Sequence, residues 1–447
     1  LVIHERTPEA LKAGRVYLIM ALAGEGAIIA ALILAVSAGE TNSLANAAAA
    51  LGASPWKNLA LGAAALGFGV KAGAFLLHFW LPLAHPVAPT PASAVLSGCM
   101  IKAGLLGWLH FFPVHSLNRP GWGTLLALSG ALAMFYGVLA GLAQYRPKTI
   151  LAYSSISQMG LMTMALGMGL MDDRLGNLIV PALLLLVLCH ALSKGALFLA
   201  TGTLQKTRRN SLQGTALLAL TAFPALVLSG FPLTGGAAAK QGLKLAAKTG
   251  ALPWPVSVEL LLTLSSIGTM LLLTHFLFRV HQDMPRDTGA SVPFSWVSWA
   301  ALLPFLVFAR TLTRVVSGGV PAAPHLSAES IVQGAWPVLL GAALAWTLNA
   351  VCRECLPSQL LPWNSLLNQC RSCATLILNN LSPVAHRLWG AVQIDLPRIT
   401  DLITDRDSGP TLTGSLERRF MHWHTAGLTF VLLLVAFLII NVWILNP

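Results

Sequence analysis

Apolar stretches of about 20 residues recur along most of the chain, and short polar or proline-rich segments separate them. The hydrocarbon core of a bilayer is about 30 Å thick, and a helix of about 20 residues crosses it. Each stretch therefore predicts one transmembrane helix. The eleven stretches lie at residues 14–38, 58–80, 91–112, 122–145, 149–171, 176–200, 214–249, 255–281, 292–317, 331–352 and 424–445. The predicted fold class is an all-α polytopic membrane protein with about eleven transmembrane helices.

Two regions carry helix-breaking residues. The run at 214–249 is too long for one straight helix, and FPLTGG at 231–236 interrupts it. The proline-rich segment LPLAHPVAPT at 81–90 follows the helix that contains Lys71. Broken helices of this kind form ion sites at the middle of the membrane in transporters. The pattern therefore predicts one discontinuous helix at 214–249 and a second site that is rich in helix-breaking residues at 81–90.

The composition agrees with membrane insertion. Of the 447 residues 55% are hydrophobic and 10% are charged, and the mean hydropathy is +0.71. The net charge of +12 does not indicate nucleic-acid binding, because membrane proteins concentrate Lys and Arg in cytoplasmic loops and no basic stripe with interleaved aromatic residues is present. We expect a multi-pass protein of the plasma (inner) membrane, in contact with the lipid bilayer and without a nucleic-acid partner.

The basic loop residues predict the orientation. One set of loops is much richer in Lys and Arg and should be cytoplasmic; it carries Arg6, Lys12, Arg15, Arg146, Lys148, Lys206, Arg208, Arg209 and Arg286. With eleven crossings, residue 1 and segment 353–423 lie on the cytoplasmic side, and the C-terminus lies outside. Apolar residues recur at roughly helical spacing in 353–423, which indicates either an amphipathic surface helix or a plain connector. The run at 424–445 would then be a C-terminal anchor.

Four lysines lie deep inside apolar runs: Lys71, Lys102, Lys194 and Lys240. One Lys at the centre of a bilayer costs roughly 2.5–3.5 kcal/mol, so four would cost about 10 kcal/mol if they faced lipid. Such residues usually face the bundle interior or internal water, where they bind, relay or repel a mobile charge. The lysines therefore indicate ion or proton movement.

Histidines and one carboxylate accompany these lysines. His78 follows Lys71 by seven residues, so the two would share a helix face, and His190 precedes Lys194 by one turn. A buried ammonium group releases its proton more easily than one in water, a nearby carboxylate reverses this, and histidine can relay protons near neutral pH. These properties suit a proton pathway. The candidate residues are Glu25, Lys71, His78, His85, Lys102, Lys148, His190, Lys194 and Lys240.

Some of these candidates have structural alternatives. Lys148 begins a helix at the cytoplasmic edge and is either a topology anchor or a channel mouth. Glu25 is flanked by glycines within an apolar run, and its alternative role is a polar contact between packed helices. His78 and His85 lie near the proline-rich break, and the sequence does not decide between core and pathway roles for them.

The remaining motifs predict no catalytic centre. The pairs Cys352/Cys355 and Cys370/Cys373 have zinc-like spacing, but the first ends a membrane helix and no glycine shapes a knuckle, so reduced cytoplasmic thiols are the alternative. We expect no metal site. The chain contains no Walker A loop, dinucleotide fingerprint, haem motif or hydrolase elbow. We therefore expect no cofactor and no redox or hydrolytic chemistry in this chain.

Four segments in order resemble a known family. They are VKAGAFLLHFWLPLAHPVAPTPASAVLSGCMIKAGLLGW, RPKTILAYSSISQMG, LCHALSKGALFLATG and GFPLTGGAAAKQG. They resemble signature segments of the antiporter-like subunits of respiratory complex I, of energy-converting hydrogenases and of Mrp-type cation/proton antiporters. The resemblance implies two inverted five-helix repeats, each with a broken helix. By motif, Lys71 is similar to the central lysine of the first half-channel and Lys102 to the lysine that links the halves. His190 and Lys194 match the middle of the second half-channel, and Lys240 matches its terminal lysine.

The resemblance also implies a division of the chain. Residues 1–112 contain the last three helices of the first repeat, and 113–281 form the second five-helix repeat. Additional transmembrane helices follow at 282–352. Segment 353–423 is amphipathic and similar to the lateral helix of the largest such subunit, and 424–447 is the anchor. Relatives have a glutamate on a helix before residue 1, so either the first half-channel is incomplete or, as we expect, the chain is a member that is truncated at its N-terminus. Leu76 stands where relatives often have Pro, so we expect the first broken helix to be less kinked.

The resemblance implies a proton-translocating membrane subunit of a redox-driven complex of the NADH:quinone oxidoreductase or hydrogenase type. The alternatives are a subunit of a multi-subunit Na⁺ or K⁺/H⁺ antiporter and the membrane partner of an inorganic-carbon-uptake complex. In each case the implied partners are other membrane subunits, and the transported ion is the proton, with Na⁺ or K⁺ as alternatives.

Overall fold

The computed structural model describes residues 2–39, 51, 54–112, 114, 119–250, 257–286, 296–317 and 328–355. This part of the chain consists of helices and connecting turns and contains no strand. The α-helices are α1 (Pro8–Gly39), α2 (Lys57–Ala72), α3 (Trp80–Val87), α4 (Thr90–Val95), α5 (Ile101–Phe111), α6 (Pro120–Leu142), α7 (Pro147–Met171), α8 (Gly176–Leu204), α9 (Leu212–Ser229), α10 (Gly235–Thr249), α11 (Val258–Asp283), α12 (Trp296–Ala300), α13 (Leu302–Ser317) and α14 (Ala328–Cys355). A π-helical turn, Leu96–Met100, joins α4 to α5.

Seven helical stretches among the described residues are long and apolar enough to cross a membrane. They are Pro8–Gly39, Thr90–Phe111, Pro120–Leu142, Gly176–Leu204, Leu212–Ser229, Val258–Asp283 and Ile331–Asn349. The predicted run at 292–317 divides at Ala301 into two helices. The anchor at 424–445, and all but the first three residues of 353–423, lie outside the described residues. The count of eleven crossings, the division of the chain and its orientation therefore remain predictions.

Helix α8 lies at the centre of the described helices. It packs against α4, α7, α9, α10 and α13, and 94% of its most apolar stretch is buried. A helix that is apolar around its whole circumference is stable only when it is covered on all sides, by protein or by lipid. Here protein provides the cover, so His190 and Lys194 on this helix lie in the protein interior.

Helices α6 and α7 approach each other closely along a stripe of glycines. Gly123, Gly130 and Gly137 recur every seven residues on α6 and face α7. A methyl group placed on Gly130 would lie 2.4 Å from the backbone nitrogen of Met164 and 2.5 Å from the carbonyl oxygen of Gly160. Small residues permit such backbone contact between membrane helices, where packing replaces the hydrophobic driving force. The glycine stripe therefore fixes the position of α7 against α6.

We expect Gly130→Ala to destabilise the protein by about 2 kcal/mol, since the added methyl group must push the two backbones apart. Gly121→Ala on the same helix is the matched control, because a methyl group there would meet no atom within 4 Å. Thermal unfolding in detergent, followed by tryptophan fluorescence, measures the difference. Equal melting temperatures for the two variants would contradict the close helix contact.

The second predicted break is present. Helix α9 ends at Ser229, Gly230 adopts a left-handed conformation (φ +84°), Leu233 is also left-handed (φ +69°), and α10 begins at Gly235. The prolines, glycines and polar residues of this stretch end one helix and begin another, as the sequence predicts. The break returns α10 toward α9, and this places Lys240 beside the end of α9.

The first break has the same backbone pattern but lies before the proline-rich segment. Helix α2 ends at Ala72, Gly73 is left-handed (φ +66°), and Leu76, three residues later, has φ +65°. The predicted single run at 58–80 is therefore interrupted at Gly73, and α3 begins at Trp80. The helix is thus broken after a left-handed glycine although Leu76 stands where relatives often have Pro, and the expectation of a smaller kink than in relatives stays a prediction.

Leu76 is strained, since a side chain with a Cβ atom avoids the left-handed region at a cost of roughly 1–2 kcal/mol. We expect Leu76→Gly to be more stable than Leu76→Ala by about 1 kcal/mol. Both variants remove the same exposed side chain, so only the backbone preference differs between them. Melting temperatures in detergent decide the point, and an Ala variant at least as stable as the Gly variant would show that this backbone is unstrained.

Candidate functional site

Three of the four predicted lysines are sequestered from the surface. Lys102, Lys194 and Lys240 are each at most 4% exposed. Apart from histidines, they are the only ionisable Lys, Arg, Asp or Glu side chains that are buried among the described residues, so no carboxylate is buried with them. A buried ammonium group without an ion-pair partner must be stabilised by hydrogen-bond acceptors.

Backbone carbonyl oxygens are these acceptors. Lys102 Nζ donates to the Ser97 carbonyl, Lys194 Nζ to the Leu151 carbonyl at 2.8 Å, and Lys240 Nζ to the Ser229 carbonyl at 3.0 Å. Two of the three carbonyls lie at irregularities: Ser97 belongs to the π-turn, and Ser229 is the last residue of α9. π-Turns are frequent at functional sites, and the last carbonyls of a helix lack intrahelical partners.

Lys71 is placed differently from the other lysines. Its Nζ contacts Glu25 Oε1 at 2.5 Å, and the two side chains are 37% and 51% exposed at the surface of the described residues. Gly24 and Gly67 allow this pairing, because a methyl group on Gly67 would lie 2.7 Å from the Gly24 carbonyl oxygen. The glycine beside Glu25 thus brings α1 against α2. The structure places Glu25 and Lys71 in an ion pair. This pair is partly exposed, whereas the other three lysines are buried.

His78 does not share a helix face with Lys71. Helix α2 ends at Ala72, so the seven-residue spacing no longer places the two side chains on one side of a helix. The His78 ring is buried and contacts the rings of Phe79 and Tyr136, with centroid distances of 4.8 and 4.9 Å. The predicted polar stripe of Lys71 and His78 is therefore wrong.

His85 lies among lysines in the protein interior. It is fully buried, and its ring stacks on Phe198 at a centroid distance of 4.6 Å. The ring lies within electrostatic range of Lys194, Lys148 and Lys102. Lys148 reaches inward and donates to the Ala88 carbonyl at 2.8 Å, just beyond α3. Its ammonium group therefore binds within the protein, although its role as anchor or channel mouth stays a prediction.

His190 belongs to the same cluster. It is fully buried on α8, and the charges of Lys102 and Lys194 act on it. Neither ring nitrogen of His85 or His190 bonds to another residue in the described ranges. The charges of Lys102 and Lys194 thus reach both imidazoles, and that of Lys148 reaches His85; whether these residues form one pathway stays a prediction.

A pair of serines joins Lys102 to Lys194, and the sequence did not predict it. The hydroxyl groups of Ser97 and Ser155 are 2.7 Å apart, and Ser155 Oγ donates to the Leu151 carbonyl at 3.0 Å. Lys194 donates to that same carbonyl, while Lys102 donates to the carbonyl of Ser97. The two adjacent serines, Ser154 and Ser155, within an apolar run indicated a polar contact in the interior. Their spacing could not predict that the partner would be Ser97 on the π-turn.

A second polar link approaches Lys240. Lys240 Nζ also donates to Ser266 Oγ on α11 at 2.9 Å. One turn along α11, Thr269 Oγ1 accepts a hydrogen bond from Gln158 Nε2 of α7 at 2.9 Å. Gln158 follows Ser155 by three residues. The polar face of α11 therefore connects α7 with the terminal lysine, and these residues too were absent from the sequence predictions.

Outside the membrane helices, one loop carboxylate is stabilised by an arginine. The bidentate contact of Arg174 with Asp172, at 2.8 and 2.9 Å, lowers the pKa of that carboxyl group below its usual value. This pair lies after α7 and is not part of the buried lysine cluster. In the described ranges, no group of three or more His, Cys, Asp or Glu side chains could hold a metal ion. Cys370 and Cys373 lie outside those ranges, as do the side chains of Cys352 and Cys355.

Comparison with known proteins identifies relatives of this arrangement. The transmembrane family described as NADH:quinone oxidoreductase/Mrp antiporter matches residues 1–240. "Hydrogenase-4 component B" of Escherichia coli is 37% identical over 213 residues, which are 46% of this chain and 32% of that protein. A Na(+)/H(+) antiporter subunit of Alkalihalophilus pseudofirmus is 34% identical over 140 residues, 31% of this chain and 27% of that protein. The chain thus spans about a third or less of the length of these relatives.

One solved structure has the same fold. It is described as the structure of the Mrp complex from Dietzia sp. DQ12-45-1b, and it matches with a TM-score of 0.63 over 92% of this chain and 48% of that chain. The sequence identity is 20%, so the likeness concerns the fold alone. It confirms the predicted class, a helical polytopic membrane protein with an antiporter-like fold.

The buried imidazole of His85 yields a stability prediction. His85→Phe retains the stacking on Phe198 and removes two buried ring nitrogens that bond to no described residue, so we expect the free energy of unfolding to rise by about 1 kcal/mol. His275→Phe is the control, because the His275 ring bonds the Gln144 carbonyl at 3.0 Å and its loss should destabilise. Melting temperatures in detergent test this, and an equal decrease for both variants would contradict it.

Proposed function

The chain belongs to the NADH:quinone oxidoreductase/Mrp antiporter membrane family, and from this premise we propose that it moves protons along its buried lysines and histidines. We propose further that it does so as one membrane subunit of a redox-driven complex of the quinone oxidoreductase or hydrogenase type. The observation that carries the proposal is the set of three sequestered lysines, each held by a backbone carbonyl oxygen instead of a carboxylate.

Carbonyl oxygens suit a transport role better than carboxylates. A buried carboxylate forms a strong ion pair that holds a lysine in its charged state. A carbonyl stabilises the ammonium group by a hydrogen bond but leaves it able to lose its proton. Lysines that are anchored in this way can alternate between charged and neutral states, as proton transfer requires.

Repulsion between the lysines can drive that alternation. Lys102, Lys148 and Lys194 act on the same imidazole, so a proton that binds to one of them disfavours the charge on the others. Interacting groups of this kind gain and lose protons as a coupled set. Arrival of a charge at one end would therefore expel a proton further along. Glu25 and Lys71 would take part at the end of the pathway away from Lys240, where their ion pair would open and close.

The partners and the orientation are parts of the same proposal. The relatives' names describe components of larger assemblies, which supports other membrane subunits as partners. Redox chemistry would take place in those subunits, and this chain would bind no cofactor. The basic loops favour a cytoplasmic position for residue 1 and for 353–423, with the C-terminus outside.

Exchange of Na⁺ or K⁺ for protons is the second candidate, supported by the likeness to an antiporter component. An inorganic-carbon-uptake complex is a third class that would use the same buried residues. Dependence of proton movement on added Na⁺ or K⁺, in the absence of an electron donor, would favour the antiporter.

We expect Lys194→Ala and Lys240→Ala each to reduce proton movement by about tenfold or more, since each removes a buried proton carrier. Lys57→Ala, at the exposed start of α2, is the control and should leave it unchanged. The measurement is the quenching of a pH-gradient dye in membrane vesicles that contain the assembled complex. Native gels verify that the variants assemble. Wild-type rates in both buried-lysine variants would refute the proposed function.

A further inference from the structure

The contact between Ser97 and Ser155 has a defined direction. Each serine hydroxyl group carries one hydrogen to donate. When the Ser155 hydroxyl donates to the Leu151 carbonyl, the Ser97 hydroxyl is the donor to Ser155 Oγ. Both residues are fully buried. The two hydroxyl groups therefore form an oriented row that points from the Lys102 side to the Lys194 side.

Both ends of this row meet a lysine anchor. Lys102 Nζ donates to the backbone carbonyl oxygen of Ser97, the residue whose hydroxyl group begins the row. At the other end, the Leu151 carbonyl accepts from both Lys194 Nζ and Ser155 Oγ. Lysine has a flexible four-carbon stem and three donors, so small rotations can exchange a carbonyl for the neighbouring hydroxyl group.

The geometry points to a specific step in the pathway: the Ser97 and Ser155 hydroxyl groups carry the proton between Lys102 and Lys194. This inference rests on the proposed function. The amines of Lys102 and Lys194 would first turn from their carbonyl oxygens to the neighbouring hydroxyl groups, and the Ser155 hydroxyl would turn from the Leu151 carbonyl to Lys194. The Lys102 ammonium would then give a proton to Ser97 Oγ as the Ser97 hydrogen passes to Ser155 Oγ and the Ser155 hydrogen passes to the neutral amine of Lys194. One proton moves in total, and both serines remain neutral. Their hydroxyl groups end reversed and must rotate back before the next transfer.

The histidines offer a competing route, but the direct contacts favour the serines. The rings of His85 and His190 feel the lysine charges, yet neither bonds to a lysine or to any other described residue. The serine hydroxyl groups bond to no lysine directly, but they are bonded to each other at 2.7 Å, and Ser155 Oγ bonds at 3.0 Å to the Leu151 carbonyl that also holds Lys194. Groups that lie within hydrogen-bond distance of one another meet the geometric requirement for proton transfer.

The test compares Ser97→Ala, Ser155→Ala and the double variant with Ser157→Ala. Ser157 is the matched control, because it is a buried serine on α7 whose hydroxyl group donates to the Met134 carbonyl of α6, away from the lysines. Proton movement is measured by dye quenching in vesicles that contain the assembled complex, per amount of complex on native gels. The same assay in D₂O gives the solvent isotope effect.

We expect each single serine variant to lower the rate about tenfold, which is the effect of losing one buried hydrogen bond. The double variant should be no slower than either single variant, since the two hydroxyl groups act as one unit. Ser157→Ala should transport at the wild-type rate. The conservative Ser155→Thr retains the hydroxyl group and should restore transport to at least half the wild-type rate, with a wild-type solvent isotope effect.

Two outcomes would overturn the inference. The first is wild-type transport in Ser97→Ala and Ser155→Ala while Lys194→Ala abolishes it, which would leave the proposed function intact and assign the step to the histidines. The second is a double variant about a hundredfold slower than wild type, because independent effects multiply. Normal transport in Lys194→Ala and Lys240→Ala as well would instead show that the proposed function itself is wrong.

Discussion

The burial of lysine amines inside the membrane, without a buried carboxylate in the part of the chain that the structure describes, is the constraint on which this structure depends. Lys102, Lys194 and Lys240 satisfy it with backbone carbonyl oxygens, and the fold must supply those oxygens at positions that side chains can reach. A regular helix uses its carbonyls internally, apart from the last turn. The π-turn before α5 and the end of α9 provide such acceptors for Lys102 and Lys240, whereas the Leu151 carbonyl that holds Lys194 lies within α7. Two of the three buried lysines therefore depend on irregular backbone.

The two broken helices have the same unusual backbone pattern next to a lysine. Each has a left-handed glycine followed three residues later by a left-handed leucine, at Gly73 and Leu76 and at Gly230 and Leu233. Strained conformations of this kind persist only where surrounding structure enforces them, and they concentrate at functional sites. Lys71 lies just before the first break, and Lys240 lies just after the second, bonded across it to Ser229.

The sequence predicted the parts of the site that depend on composition, and it missed those that depend on the fold. Lysines in apolar runs are conspicuous because burial of charge is costly, and FPLTGG contains residues that end a helix in any context. The start of the first break was not evident, since GAFLL lacks a proline and only its backbone angles reveal the turn. Ser97, Gln158 and Ser266 escaped notice because a hydroxyl or amide group in a membrane helix gains meaning only from its partner on another helix. The pairing of Lys71 with His78 failed for the same reason, because one intervening turn altered their relative direction.

The glycine stripe between α6 and α7 has a mechanical consequence. Helix α7 presents the Leu151 carbonyl, Ser155 and Gln158 to three different neighbours, so its placement sets the spacing on both sides of Lys194. Because no side chain cushions the contact at Gly130 and Gly160, α7 cannot slide against α6 without collision of the two backbones. A displacement of α6 would therefore move α7 with it. Such a displacement, applied by an adjoining protein, would also move the Leu151 carbonyl oxygen that holds Lys194.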